Sequence, residues 1–347
     1  MISIAGRPIG SGHPPYVVAE LSGNHNGSLV RALAIVDAVA AAGAHALKLQ
    51  TYRPDTLTVD CDAPAFRIGD GHALWGGETL YRLFERAHTP WEWHEPIFER
   101  ARSHGLAAFS SPFDPTAVEL LEKLGVPAYK IASSEIVDLP LIRLAAATGK
   151  PLIISTGMAS AAEIHEAVTA AREAGCTQLV VLSCTAAYPA APEESNLRAL
   201  PLLAALTGEV VGISDHTPGL GAALAGVALG ACLIEKHVTA SRADGGVDAA
   251  FSLEPDELAA LVVESERAWE SLGSPALGPR ASEREGLRFR RSLYVVRDVR
   301  AGDPVTPRNV RSIRPAGGLP PEAAAHVMGR HFTRDAPLGT PLSWDLI

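Results

Sequence analysis

Eight times along the chain a short apolar run ends in polar or charged residues, and an amphipathic segment follows. The runs are YVVAE (Tyr16–Glu20), ALKLQT (Ala46–Thr51), AAFSSP (Ala107–Pro112), AYKIASSE (Ala128–Glu135), PLIISTG (Pro151–Gly157), LVVLSCT (Leu179–Thr185), VVGISDH (Val210–His216) and LIEKHV (Leu233–Val238). A strand buried on both faces reads as a continuous apolar run, as in a parallel sheet covered by helices. Eight such units in unbroken alternation predict an α/β fold, the (β/α)8 TIM barrel. In that barrel ligands bind where the strands end. The polar ends therefore nominate one mouth: Glu20, Lys48, Ser111, Lys130, Ser133, Glu135, Ser155, Ser214, His216 and His237.

Between the runs, helices are predicted over Ser28–Ala44, Trp91–His104, Pro115–Leu124, Pro140–Thr148, Ala161–Ala174, Pro192–Leu206, Leu220–Leu229 and Pro255–Leu272. Ser28 suits a helix cap and Gly43 a stop. Between Tyr52 and Thr89 the periodicity loosens and Gly and Pro accumulate, which predicts a long loop on the catalytic face. After Leu272 the composition turns to Gly, Pro and charge. The expected organisation is a barrel over 1–272, a linker over 273–291 and a small domain over 292–347.

The 347 residues and 47% hydrophobic content are enough for a large core and more than one domain. A net charge of −9 argues against a nucleic-acid partner. The four cysteines form no CxxC pair, which fits a reducing cytoplasm, and each is expected to be a small buried residue, Cys184 included. The start MISIAGRPIG carries no signal-peptide pattern, and no run is long enough to span a membrane.

The strongest chemical pair is SDHT with EKH, which puts His216 and His237 at the ends of consecutive strands. Neighbouring strands lie about 4.8 Å apart, so the two imidazoles can share one divalent ion and leave positions for water and substrate. Lys48 and Lys130 end two otherwise apolar strands. Three readings are open for them: binding of a phosphate or carboxylate, scaffold pairing with Glu20 or Glu135, or Schiff-base chemistry. Asn24–Gly27 reads as a turn that can also hydrogen-bond a polyhydroxylated ligand. Trp91 and Trp93 fit core placement or sugar stacking. The glycines of Gly219–Gly226 lack dinucleotide-loop spacing.

AELSGNHNG, LKLQTY, FSSPFD, YKIASSE, ISTGM, CTAAYP, GISDHT, EKHVT and DGGVDAAFSLEPDE together resemble the sialic acid synthase family, over nearly the whole chain. LSGNHNG and AHTPWEWHE are similar to its pseudaminic acid synthase branch. The resemblance implies condensation of phosphoenolpyruvate with an amino sugar, and a C-terminal antifreeze-like (SAF) domain. It implies manganese or magnesium on His216 and His237. Lys130, Ser155 and Ser214 correspond to residues holding the phosphate, and Lys48, Ser111 and Ser133 to those around the carboxylate. Glu20 and Asp248 match acids near the reacting carbons, while Glu135 and Tyr188 match the sugar pocket. Arg314 matches an arginine that completes the partner's site in a domain-swapped homodimer. Ala186 departs from the family's polar residue two positions before Tyr188. The sugar expected is 2,4-diacetamido-2,4,6-trideoxy-altrose, with N-acetylneuraminate or legionaminate synthesis as alternatives. A Schiff-base aldolase and a non-catalytic sugar-binding protein are the readings of other kinds.

Overall fold

The computed structural model of the chain describes residues 1–69, 71 and 74–347. They divide into two compact units, Met1–Gly273 and Ser274–Ile347.

The first unit opens on an antiparallel hairpin of β1 (Ile2–Ile4) and β2 (Arg7–Ile9). In sequence its apolar positions read only as part of a short leader. Ser3 N donates to Gln178 Oε1 at 2.8 Å, which ties the hairpin to the loop before a barrel strand.

Eight parallel strands close a barrel. They are β3 (Tyr16–Glu20), β4 (Ala46–Thr51), β5 (Ala107–Pro112), β6 (Tyr129–Ile131), β7 (Leu152–Ser155), β8 (Leu179–Cys184), β9 (Val210–Ser214) and β10 (Leu233–His237). β10 pairs with both β3 and β9, which completes the ring. The expected strand positions hold, with two corrections. The run Ala128–Glu135 is strand only over Tyr129–Ile131, and Ser133–Val137 turns into a 3-10 helix. Short polar side chains compete with a ladder for backbone bonds, and Ser133 Oγ accepts from Gly157 N at 3.1 Å. His216 likewise lies two residues beyond β9.

Helices α1 (Leu29–Ala41), α4 (Trp91–Ser103), α5 (Pro115–Lys123), α6 (Leu139–Ala146), α7 (Ala161–Glu173), α9 (Gly221–Ala228) and α10 (Pro255–Leu272) lie where the periodicity predicts. Ser28 caps α1 by accepting from Arg31 N, and Gly43 leaves the helix at φ 81°. The helix expected over Pro192–Leu206 is broken. Asn196 takes a left-handed φ of 43°, and only α8 (Leu200–Thr207) is regular helix. The expected loop between Tyr52 and Thr89 contains α2 (Pro54–Leu57) and α3 (Leu80–Ala87). Thr79 caps α3 by accepting from Arg82 N.

The second unit holds its own core of Leu293, Val295, Val305, Val310, Phe332 and Leu342 around β11 (Ser292–Val295) and β12 (Val310–Ile313). Residues 281–289, read as linker, form 3-10 turns bonded to the loop after β12, with Ala316 N on Arg288 O at 2.9 Å.

Candidate active site

Barrel registry gathers the charged strand ends. Glu20 lies level with Lys48 on β4 and with His237 on β10, and Glu235 lies level with Ser214. Lys48 Nζ is 2.9 Å from Glu20 Oε2 and 3.1 Å from Glu235 Oε1. Gln50 Nε2 donates to Glu20 Oε1 at 2.8 Å, and Ser214 Oγ donates to Glu235 Oε1 at 3.1 Å. Lys130 Nζ is less engaged: it donates to Ile131 O at 3.3 Å and stays 3.6 Å from Glu235 Oε1.

All four charged side chains are buried. Burial pushes the Glu20 carboxyl up, yet the charges of Lys48 and His237 outweigh it and hold Glu20 well below the usual range. Burial depresses Lys48, and Glu20 with Glu235 more than restore it. For Lys130 burial wins, and its ammonium is more acidic than an ordinary lysine. Glu135, shielded from water on its 3-10 turn, is pushed up to about 7 by burial.

The two histidines meet beside this cluster, with ring centroids 5.2 Å apart. His216 Nδ1 lies 2.9 Å from Thr185 O, and a carbonyl only accepts. Nδ1 therefore carries the proton, and in the neutral ring Nε2 keeps its lone pair. His237 Nε2 is 3.2 Å from Glu20 Oε2, while its buried Nδ1 has no hydrogen-bond partner among the described residues and lies 3.7 Å from Asp248 Oδ2. Among the described residues no three His, Cys, Asp or Glu side chains are gathered to hold a metal. The donor set fits an ion with two imidazole ligands, the other positions going to water and substrate.

Around these groups opens a cavity of about 620 Å3. Eleven of the predicted residues line it: Glu20, Lys48, Lys130, Ser133, Glu135, Ser155, Tyr188, Ser214, His216, His237 and Asp248. Ser111 is buried behind the floor, where its Oγ accepts from Lys48 Nζ at 3.4 Å. Arg314 belongs to the second unit, exposed directly after β12. Ala186 adds only a methyl to the lining, and a Cβ on Gly157 would come within 3.0 Å of it.

Several expectations change. Trp91 and Trp93 stay outside the lining: Trp91 donates to Tyr52 O under the Arg53 guanidinium, and Trp93 packs edge-on to His25. Cys184 lines the cavity, 3.8 Å from His216 Nδ1, rather than filling the core, and Cys61 is half-exposed. The Asn24–Gly27 turn makes hydrogen bonds within the protein. Asn24 Nδ2 donates to Val238 O and Ser252 Oγ, both at 2.8 Å, and Asn26 to Gly245 O at 3.1 Å.

The NeuB family pattern matches residues 35–276, and the SAF domain pattern matches residues 290–347. Pseudaminic acid synthase of Helicobacter pylori is 39% identical over 96% of this chain and 97% of its own. Pseudaminic acid synthase of Campylobacter jejuni is 40% identical over 94% and 95%. An N-acetylneuraminic acid synthetase structure from Leptospira borgpetersenii, in complex with citrate, superposes with a TM-score of 0.74 at 33% identity. It covers 82% of this chain and 94% of that one. The chain belongs to the NeuB family. Like its relatives it is an enzyme, a transferase that forms carbon–carbon bonds.

Sequence reasoning passed over four residues of this NeuB site. Glu235 neutralises both floor lysines, and Gln50 orients Glu20. Ser22, at a left-handed φ of 48°, donates to Asp248 Oδ2. Trp75 lines the cavity beside Tyr188, 5.8 Å between centroids, and its indole donates to Val247 O at 3.0 Å. Glu235 and Gln50 carried a signal, since each shares strand parity with a predicted neighbour two residues away.

Proposed function

We propose that this enzyme condenses phosphoenolpyruvate with an N-acetylated amino sugar to give a nine-carbon nonulosonic acid and phosphate. The observation that carries the reading is a set of buried polar groups with no protein partner in one cavity. Ser155 Oγ, Glu135 Oε2, Glu235 Oε2 and His237 Nδ1 have no hydrogen-bond partner there among the described residues. Buried polar groups are ordinarily satisfied, so these await a polar ligand. Lys130, the lysine whose burial outweighs its pairing, gains most from an arriving anion.

Lys130, Ser155 and Ser214 hold the phosphate in this reading. Lys48 and Ser133 face the carboxylate, with Ser111 holding Lys48 in place. Tyr188 and Glu135 flank the sugar. His216 and His237 would hold a manganese or magnesium ion, which would supply a Lewis acid for the sugar's aldehyde oxygen. C3 of phosphoenolpyruvate bonds to the aldehyde carbon, water adds at C2, and phosphate leaves with its bridging oxygen. Glu20 has both oxygens engaged, by Gln50 and by Lys48 with His237. Asp248 is bonded only at Oδ2 among the described residues, so Asp248 orients the water. Chelation should abolish turnover and added manganese restore it; full activity in metal-stripped protein would remove the ion from the scheme.

The sugar we propose is 2,4-diacetamido-2,4,6-trideoxy-altrose. Two pseudaminic acid synthases at 39–40% identity support it. So does an apolar wall of Leu57, Ile68, Leu80, Leu83, Phe84 and Phe113, which suits a deoxy methyl better than a hydroxyl. One such group is worth about 1–3 kcal/mol in discrimination. Comparable kcat/KM for N-acetylmannosamine would overturn the sugar and leave the condensation intact. The acidified Lys130 also suits a Schiff-base aldolase; borohydride trapping with pyruvate separates that reading from condensation. For Arg314 we propose that the second unit completes a partner's barrel in a homodimer. Residues 274–347 carry twelve arginines against seven acids, while the whole chain is at −9, so this basic unit suits an acidic partner.

A further inference from the structure

Each histidine of the mouth is preceded by one half of a buried ion pair, Asp215 before His216 and Lys236 before His237. Lys236 lies within β10, where successive residues face opposite sides, so it points away from the side of His237, and Asp215 meets it from just beyond β9. Lys236 Nζ lies 3.0 Å from Asp215 Oδ2 and donates to Thr217 O at 2.6 Å. Asp215 Oδ1 accepts from Thr217 N at 2.9 Å. Lys236 is 0% exposed and Asp215 8%. The residue pairing of β9 with β10 ends at Ser214 and Glu235, with one further bond from Asp215 N to Glu235 O. His216 thus stands beyond the ladder, and the residues on both sides of it are bound to the residue before His237.

A buried ion pair is weak support for stability, since well-fitted apolar residues often serve as well. What this pair adds is a fixed relation between two strand ends whose backbone bonds to each other have run out, although each is still bonded to other neighbours. We propose that Asp215 and Lys236 form a positioning clamp that sets the separation of the two imidazoles and thereby the affinity for the divalent ion. The clamp rests on the reading of His216 and His237 as metal ligands. Asp215 and Lys236 act through the backbone of their neighbours and touch neither ion nor substrate.

The test is a manganese titration of the full chain, with free ion followed by electron paramagnetic resonance. It compares the wild type with His216→Ala and with the double variant Asp215→Asn/Lys236→Met. Asn keeps the bond from Thr217 N, Met keeps the volume of Lys, and no lone charge is left buried. The wild type should bind manganese and His216→Ala should lose it. The double variant should keep its melting temperature and circular dichroism while binding roughly tenfold more weakly or worse, the scale typical of outer residues at metal sites. Wild-type affinity in the folded double variant overturns the clamp and leaves the metal reading standing. Absence of His216-dependent binding in the wild type overturns the metal reading and the clamp with it. If the double variant does not fold, Asp215→Asn alone is judged by the same affinity criterion.

Discussion

At the residue scale, the site shows how burial and pairing set protonation. Glu135 is the clearest case, with its carboxyl pushed up to about 7 by burial. A raised carboxyl is protonated in the folded protein and ionised in the unfolded chain between the two pKa values. Its contribution is therefore full below pH 4.5, the ordinary value, and is lost as pH rises through 7. The shift corresponds to a few kcal/mol at about 1.4 kcal/mol per unit. Glu135→Gln should flatten the loss of stability between pH 5 and pH 8, as measured by urea unfolding at each pH. An unchanged pH dependence would mean that Glu135 stays ionised in the fold. Lys130→Met should raise the KM for phosphoenolpyruvate at least tenfold, with a smaller effect on the sugar KM, because Lys130 is the less neutralised floor lysine. The lysines and histidines were legible because a charge that closes an apolar run is costly to bury unless it meets a partner or a ligand. Ser22 and Trp75 were not: a serine in a turn and a tryptophan in a glycine-rich stretch gain their roles only from contacts with Asp248 and Tyr188, distant in sequence.

At the element scale, strand positions were readable from continuous apolar runs, whereas strand ends were not. The ladder stops where side chains offer the backbone other partners, as Ser133 does for Gly157. The segment between Tyr52 and Thr89 read as loop because its apolar residues, Leu80, Leu83 and Phe84 among them, follow a glycine-rich stretch and serve the cavity wall. Close approach of elements explains particular glycines. A Cβ on Gly212 of β9 would fall 2.4 Å from Leu233 O of β10 and 2.7 Å from Leu182 Cδ2 of β8. Backbone cannot retreat as a flexible side chain can, so Gly212→Ala should cost about 1–3 kcal/mol, the usual range for overpacking. Denaturant unfolding measures it, and an unchanged midpoint would show that the strands can part at that point.

At the scale of the whole molecule, the composition changes after Leu272, beside the boundary between the two compact units, and residues 281–289 lie within the second of them. Those residues are mostly polar, with Phe289 exposed, and turns tie them down rather than an apolar face. A chain shortened to residues 1–272 should fold and be nearly inactive if the second unit completes the site. Mixing Arg314→Ala with His216→Ala tests completion in trans. After proven subunit exchange, activity should return, because one barrel keeps both histidines while its partner supplies the arginine. No recovery would assign Arg314 to its own barrel or to none. The central claim, that the cavity joins phosphoenolpyruvate to an amino sugar with loss of phosphate from C2, is met most directly by an isotope measurement. Phosphoenolpyruvate labelled with oxygen-18 at its bridging oxygen is turned over with the bis-acetamido trideoxy sugar, and both products are weighed by mass spectrometry. The account predicts a nonulosonic acid without label and phosphate carrying it. Label retained at C2 of the product, or labelled pyruvate with no new carbon–carbon bond, would contradict it.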